Sequence, residues 1–109
     1  MDHATHARPR PLLVTCAILV FAVCLTGVAY AGNPGDYTAD GVNIRTGPGT
    51  AYTSLGLGYI GQGACVYFDT MGECLPGSCL WRYHTNQTTS VTGYSWRPYV
   101  AVTDPYGFC

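Results

Sequence analysis

Between residues 32 and 109, apolar side chains recur at every second position in short runs broken by glycine or proline, and no segment carries them at helical spacing. A period of two marks half-buried strands, whose side chains point alternately to the two faces of a sheet. Val42 and Ile44 flank Asn43 ahead of TGPGT, and Leu55, Leu57 and Tyr59 alternate ahead of GQG. Ala64, Val66 and Phe68 alternate with Cys65 and Tyr67, and MGECLPGSC follows with the strong turn signal Pro76-Gly77. LWRYHT, the NQTTSVT connection, GYSW and YVAV complete the series. About five short strands with turn chemistry between them predict a small antiparallel barrel or sandwich.

Residues 56–61, GLGYIG, have the glycine spacing of a dinucleotide-binding turn. That turn needs a helix behind it to receive a pyrophosphate. Here Gln62-Gly63 and then the alternating ACVYF follow, so the segment is expected to be a glycine-rich strand and turn.

Residues 1–31 follow different rules. Arg8 and Arg10 form a positive start, residues 12–25 an apolar run, and Ala29-Tyr30-Ala31 a small-x-small site, so a secretory signal peptide cleaved before Gly32 is expected. The competing assignment is a membrane anchor, since residues 11–31 are nearly long enough to span a bilayer, but Gly27 interrupts the run. Cys16 and Cys24 would leave with the peptide, and bulky Val23 argues against lipid attachment at Cys24. Cleavage leaves 109 − 31 = 78 residues, one small domain. A core of that size supplies only roughly 3–5 kcal/mol, so staples are expected. Cys65, Cys74, Cys79 and Cys109 remain, an even count that in an exported chain predicts two disulfides.

The charges left after cleavage are Arg45, Arg82 and Arg97 against Asp36, Asp40, Asp69, Glu73 and Asp104, a net of 3 − 5 = −2. Three scattered arginines make no phosphate-tracking face, so nucleic acid is not an expected partner.

GVNIRTGPGTAY resembles the opening of the bacterial SH3-like domain, often called SH3b. That family typically reads V-N-V-R-x-G-P with an aromatic shortly after, and closes on G-[WY]-V-x-x-x-Y-[VL]. Val42-Asn43-Ile44-Arg45-Thr46-Gly47-Pro48 with Tyr52, and Gly93-Tyr94-Ser95-Trp96-Arg97-Pro98-Tyr99-Val100, match both ends in order and spacing. Ser95 stands where the family prefers an apolar strand residue. The resemblance implies an SH3-like barrel of five to six antiparallel strands over residues 37–103, with a short linker at 32–36 and a tail at 104–109. It also implies that Trp81 is the tryptophan of the middle strand, following a distal turn at residues 70–79. Gly47 and Gly49 around Pro48 suit a loop that doubles back with positive φ, braced by hydrogen bonds from Arg45 to its carbonyls. The favoured pairing is Cys74 with Cys79, closing the hairpin turn, and Cys65 with Cys109, pinning the tail; the alternative joins Cys65 to Cys79 across the hairpin.

Chemistry is sparsely represented. His84 is the sole histidine after residue 31, too few for a metal site beside paired cysteines, and no cofactor is expected. A Cys-His nucleophile would need a spare thiol. Asp69 and Glu73 flank a turn and are expected to be solvated rather than a catalytic acid pair. Asn86-Gln87-Thr88 matches a glycosylation sequon and is expected to be a polar hairpin.

Aromatic residues are the informative excess, with nine Tyr, two Trp and three Phe. Trp81, Phe68 and Tyr83 are expected to pack inward. The SH3-like register that the resemblance implies puts Tyr52 in the doubled-back loop and Trp96 and Tyr99, with Tyr94 beside them, at the turn after the last long strand, so they are expected to converge on a peptide-binding groove, where Asp36, Asp40 or Glu73 would select a cationic group. The combined expectation is a secreted, monomeric, non-enzymatic module that binds peptidoglycan or another short peptide and has no membrane contact once the signal is removed. The resemblance supplies the wall target, and no hydrolase domain accompanies the module in this sequence. The alternative is a small secreted inhibitor or effector presenting MGECLPGSC to a partner protein.

Overall fold

The computed structural model describes residues 31–109. The expected signal peptide lies, all but its last residue, outside the described residues. These form seven strands: β1 (Asn33–Tyr37), β2 (Val42–Arg45), β3 (Ser54–Gly58), β4 (Ala64–Leu75), β5 (Ser78–Asn86), β6 (Thr92–Trp96) and β7 (Val100–Val102). One 3-10 turn, Arg97–Tyr99, joins β6 to β7. No α-helix occurs among the described residues, and none of their segments is a helix long and apolar enough to cross a membrane.

All pairings are antiparallel, and the strand order is β3-β2-β6-β5-β4-β1-β7. Val42 and Ile44 from the second strand in that order meet Val100 from the last, together with Tyr37, Ala64 and Val66, in one core. Strands so far apart in the ladder share a core only if the sheet rolls over, and it does so as a half-barrel with β3 and β7 at its edges. Cys65 is bonded to Cys109 and Cys74 to Cys79, so the Cys65–Cys79 pairing does not form. On loop-closure entropy the first, spanning 44 residues, contributes about 4 kcal/mol and the second, spanning 5, about 2 kcal/mol.

Several expectations need correction. The strand count is seven rather than five to six, because β1 occupies residues 33–37, where Pro34 and Gly35 read as linker punctuation. Gly35 is required there by close approach, since a Cβ would run into the Ala101 carbonyl of β7. Residues 70–79 are not a distal turn: β4 continues to Leu75, which pairs with Ser78, leaving only Pro76-Gly77 as the turn, with Gly77 at φ 104°. Phe68 and Tyr83 do not pack inward. Val66 faces His84 and Phe68 faces Tyr83, so Tyr67 is an extra residue in β4, a bulge that shifts everything after it to the opposite face. Phe68, 40% exposed, therefore stacks on Tyr83 on the outer face, and Tyr83 lies 4.9 Å from Tyr94.

The same register fills the barrel interior with polar groups. Arg82, His84 and Asn86 alternate along β5 and are all buried, as is Ser95 opposite Arg82 on β6. Each is satisfied. Arg82 donates to the Val100 carbonyl (2.7 Å) and to both Asp69 carboxylate oxygens, and Ser95 Oγ donates to the Asn43 carbonyl (2.7 Å). Asn86 Oδ1 accepts from the Thr88 and Thr89 amides and its Nδ2 donates to Gln62 Oε1, so the sequon asparagine is a buried turn anchor. His84 Nδ1 lies 3.0 Å from the Arg82 carbonyl, and its Nε2 lies 3.1 Å from the Tyr37 hydroxyl. Burial lowers the His84 pKa from its ordinary value and pushes the Tyr37 phenol up to about 12.

A histidine whose folded pKa is depressed contributes full stability above its unfolded value and loses it as pH falls. Urea midpoints should therefore drop as the pH falls below about 6.5, ahead of carboxylate protonation near pH 4, and His84→Gln should remove that early slope. Gly58 packs its α-carbon under the Tyr37 ring, where a methyl group would collide with the ring carbons. Gly58→Ala should cost about 1–3 kcal/mol in urea denaturation by overpacking this contact.

Candidate functional site

A cleft of about 290 Å³ lies where the loop after β1, the 3-10 turn and the tip of the β4–β5 hairpin meet. Pro98 fixes the backbone of the 3-10 turn, and Trp96 and Tyr99, three residues apart, bring their rings to 5.1 Å at 70°. Two walls of a concave corner result. Trp81 closes the base, with Leu75 on the hairpin side. Asp40, Asn43, Arg45 and Thr50 supply the polar rim.

Each wall is held by hydrogen bonds. Trp81 Nε1 donates to the Glu73 carbonyl and Trp96 Nε1 to the Ser78 carbonyl, each at 2.9 Å, so both indoles are anchored on opposite strands of the hairpin tip. The loop between β2 and β3 is braced by Arg45 Nη1, which donates to the carbonyls of Thr50 (3.2 Å) and Tyr52 (3.0 Å). Glu73 Oε1 accepts from the Thr50 amide (2.7 Å) and hydroxyl (2.6 Å), and the Glu73 amide donates to the Pro48 carbonyl (3.0 Å). The Thr50 hydroxyl, followed by its amide, holds the Glu73 carboxyl below the usual range. On the other side, the Thr38 amide and hydroxyl donate to the carbonyls of Tyr99 (3.0 Å) and Pro98 (2.8 Å), tying the 38–41 loop to the 3-10 turn.

The structure separates the residues expected to converge. Trp96 and Tyr99 line the cleft together, and Trp81, expected as a core residue only, is buried yet forms the cleft base. Tyr52 lies outside the lining, its ring packed over Gly47 and Gly49. Those glycines do not adopt positive φ; Gly47 is needed because a Cβ would strike the Tyr52 ring. Tyr94 points to the outer face with Tyr83 and Phe68.

The acidic residues also take different roles. Asp40 lines the cleft, and its Oδ1 accepts from the Ile60 amide (3.1 Å). Asp36 instead caps the glycine-rich turn, accepting from the Gly61 and Gly63 amides. Burial raises its pKa, but the amides of Tyr37, Gly61 and Gly63 together outweigh that and leave it lowered. Asp69, expected to be solvated, bridges Arg82 Nε (2.8 Å) and Arg97 Nε (3.0 Å). The Arg82 hydrogen bond is the main cause of its lowered pKa. Among the described residues no group of three His, Cys, Asp or Glu side chains is placed to hold a metal ion.

No protein-family model, curated protein or solved structure matches the chain. The cleft geometry is therefore the starting point for function. Asn43 belongs to it without having been singled out as a ligand contact. For Asn43 the signal was present, since a polar residue between inward-facing Val42 and Ile44 must face outward.

Arg97 opens the 3-10 turn, so Asp69 connects the buried Arg82 to the element that carries Tyr99. Asp69→Asn should lower stability by about 1–3 kcal/mol by leaving Arg82 without a carboxylate, read as a shift of the urea midpoint. The same variant should change the near-ultraviolet circular dichroism of the Trp96–Tyr99 pair.

Proposed function

We propose that the chain is a non-enzymatic binding module of the bacterial SH3-like kind, working outside the reducing interior of the cell, with a short peptide or wall peptide held in the cleft between Trp96, Tyr99 and Asp40. The observation that carries this proposal is the corner made by the Trp96 and Tyr99 rings, 5.1 Å apart at 70°, facing a carboxylate-bearing loop. Rigid amphipathic rings offer contact area at little entropic cost, and a concave apolar corner with few polar groups at its rim suits one extended segment rather than a broad protein surface. Asp40 favours a cationic group on that segment, while Arg45 and Asn43 can pair with its backbone carbonyls.

Two further observations support this assignment. His84, the one imidazole among the described residues, is spent inside the barrel on Tyr37 and the Arg82 carbonyl, which leaves the cleft without a histidine base. The two disulfides suit an oxidising location. Leu75, at the centre of the proposed inhibitory loop, lines this same cleft, so the hairpin tip acts as a wall of the groove.

Purified peptidoglycan sacculi should retain the protein in a pulldown, and Trp96→Ala or Tyr99→Ala should weaken retention roughly ten- to thirtyfold, as central aromatic anchors do. Tyr106→Ala, on a fully exposed ring remote from the cleft, should leave it unchanged. Parent protein that does not stay on the sacculi would remove the wall target and redirect the search to other peptides.

A further inference from the structure

The hairpin tip that holds both indoles is itself closed by a disulfide, and the two disulfides differ in exposure. Each has one surface cysteine, Cys74 and Cys109, but their partners differ: Cys79 is half-buried, whereas Cys65 is 2% exposed, buried beneath Gly32. The Cys74–Cys79 bond closes a loop of only 5 residues. Its opening releases little chain, so the barrel depends on it less than on Cys65–Cys109. The tip does depend on it. Between Cys74 and Cys79 lie Leu75, which lines the cleft, and Ser78, whose carbonyl receives the Trp96 indole; the Glu73 carbonyl that receives Trp81 is the neighbouring residue.

We propose that Cys74–Cys79 is a redox-cleavable clasp, a site for a dithiol reductant, and that its opening rearranges the Trp81–Trp96 cleft while Cys65–Cys109 and the barrel stay intact. A thiolate of the reductant attacks the exposed Cys74 Sγ, breaking the Cys74–Cys79 bond and expelling the Cys79 thiolate, which takes a proton from water. The second thiol of the reductant then attacks the mixed disulfide and releases Cys74. Two electrons pass to the clasp, and the dithiol leaves as a disulfide. With the two strands unlinked at the tip, the carbonyls of Glu73 and Ser78 are no longer held to one spacing. The proposal stands whatever ligand the cleft takes.

Dithiothreitol titration of the oxidised protein, with iodoacetamide trapping and peptide mass spectrometry, should show Cys74 and Cys79 alkylated at a roughly tenfold lower reductant concentration than Cys65 and Cys109. In that window the two indole Nε1–H signals in a ¹H–¹⁵N spectrum should both move, with the amides of Ile44, Val66 and Val100 unchanged. Cys74→Ser/Cys79→Ser should place both indole signals at the reduced positions. The proposal is overturned if Cys65–Cys109 opens at the same or a lower concentration. It is equally overturned if Cys74–Cys79 opens and the indole signals stay where they were, a result the wild-type titration gives even if the variant fails to fold.

Discussion

Polar side chains inside the barrel set the terms for the rest of the structure. From Arg82 onward every inward position of β5 is polar, and a barrel this small has no water-filled interior in which to hide such groups. Each must find a partner, and the partners come from other elements: Val100 of β7 and Asp69 of β4 for Arg82, Tyr37 of β1 for His84, and Gln62 of the glycine-rich turn for Asn86. These bonds fix where β1, β7 and that turn sit, because a displaced partner leaves a buried donor or acceptor unpaired. The apolar cluster of Tyr37, Val42, Ile44, Ala64, Val66 and Val100 supplies cohesion, and the polar lane supplies register.

The cleft inherits its order from that lane by a short route. Arg82 holds Asp69, Asp69 holds Arg97, and Arg97 begins the 3-10 turn from which Tyr99 projects. From the other side, the hairpin tip holds the two indoles through the Glu73 carbonyl, three residues before Pro76, and the Ser78 carbonyl, directly after Gly77. The aromatic corner is therefore suspended between a partly exposed ion-pair relay and a surface hairpin.

Much of this was legible in the sequence, for identifiable reasons. The alternation around Asn43, the Pro76-Gly77 turn, GYSW and YVAV each obey local rules, and the strands they predict are present. The strand at residues 33–37 was not legible, because NPGDY has the composition of a loop and is a strand only through its pairing with β4 and β7, partners some 30 and 65 residues away. Phe68 shows a second limit. Perfect alternation from Ala64 to Phe68 reads as one inward face, and nothing local announces that Tyr67 is an extra residue. The bulge answers to His84 and Tyr83 on the facing strand. In the cleft, Trp96 and Tyr99 were singled out through the closing motif Gly93–Val100, whereas the separation of Tyr52 from them follows from its packing on Gly47.

The Gly32 carbonyl accepts a hydrogen bond from the Cys109 amide, so the two ends of the barrel unit touch (3.1 Å). β1 fits between β4 and β7 only after both exist, while β4, β5 and β6 form a meander of near neighbours. Non-local pairing of this kind is slow, because loop closure is unfavourable until the last contacts form. The order of oxidation follows: the hairpin sulfurs, five residues apart, meet within a local turn, and Cys65 waits for Cys109 until β1 and β7 have joined the sheet. The Cys65–Cys109 bond is thus a record that folding has finished, a latch set by the completed shape.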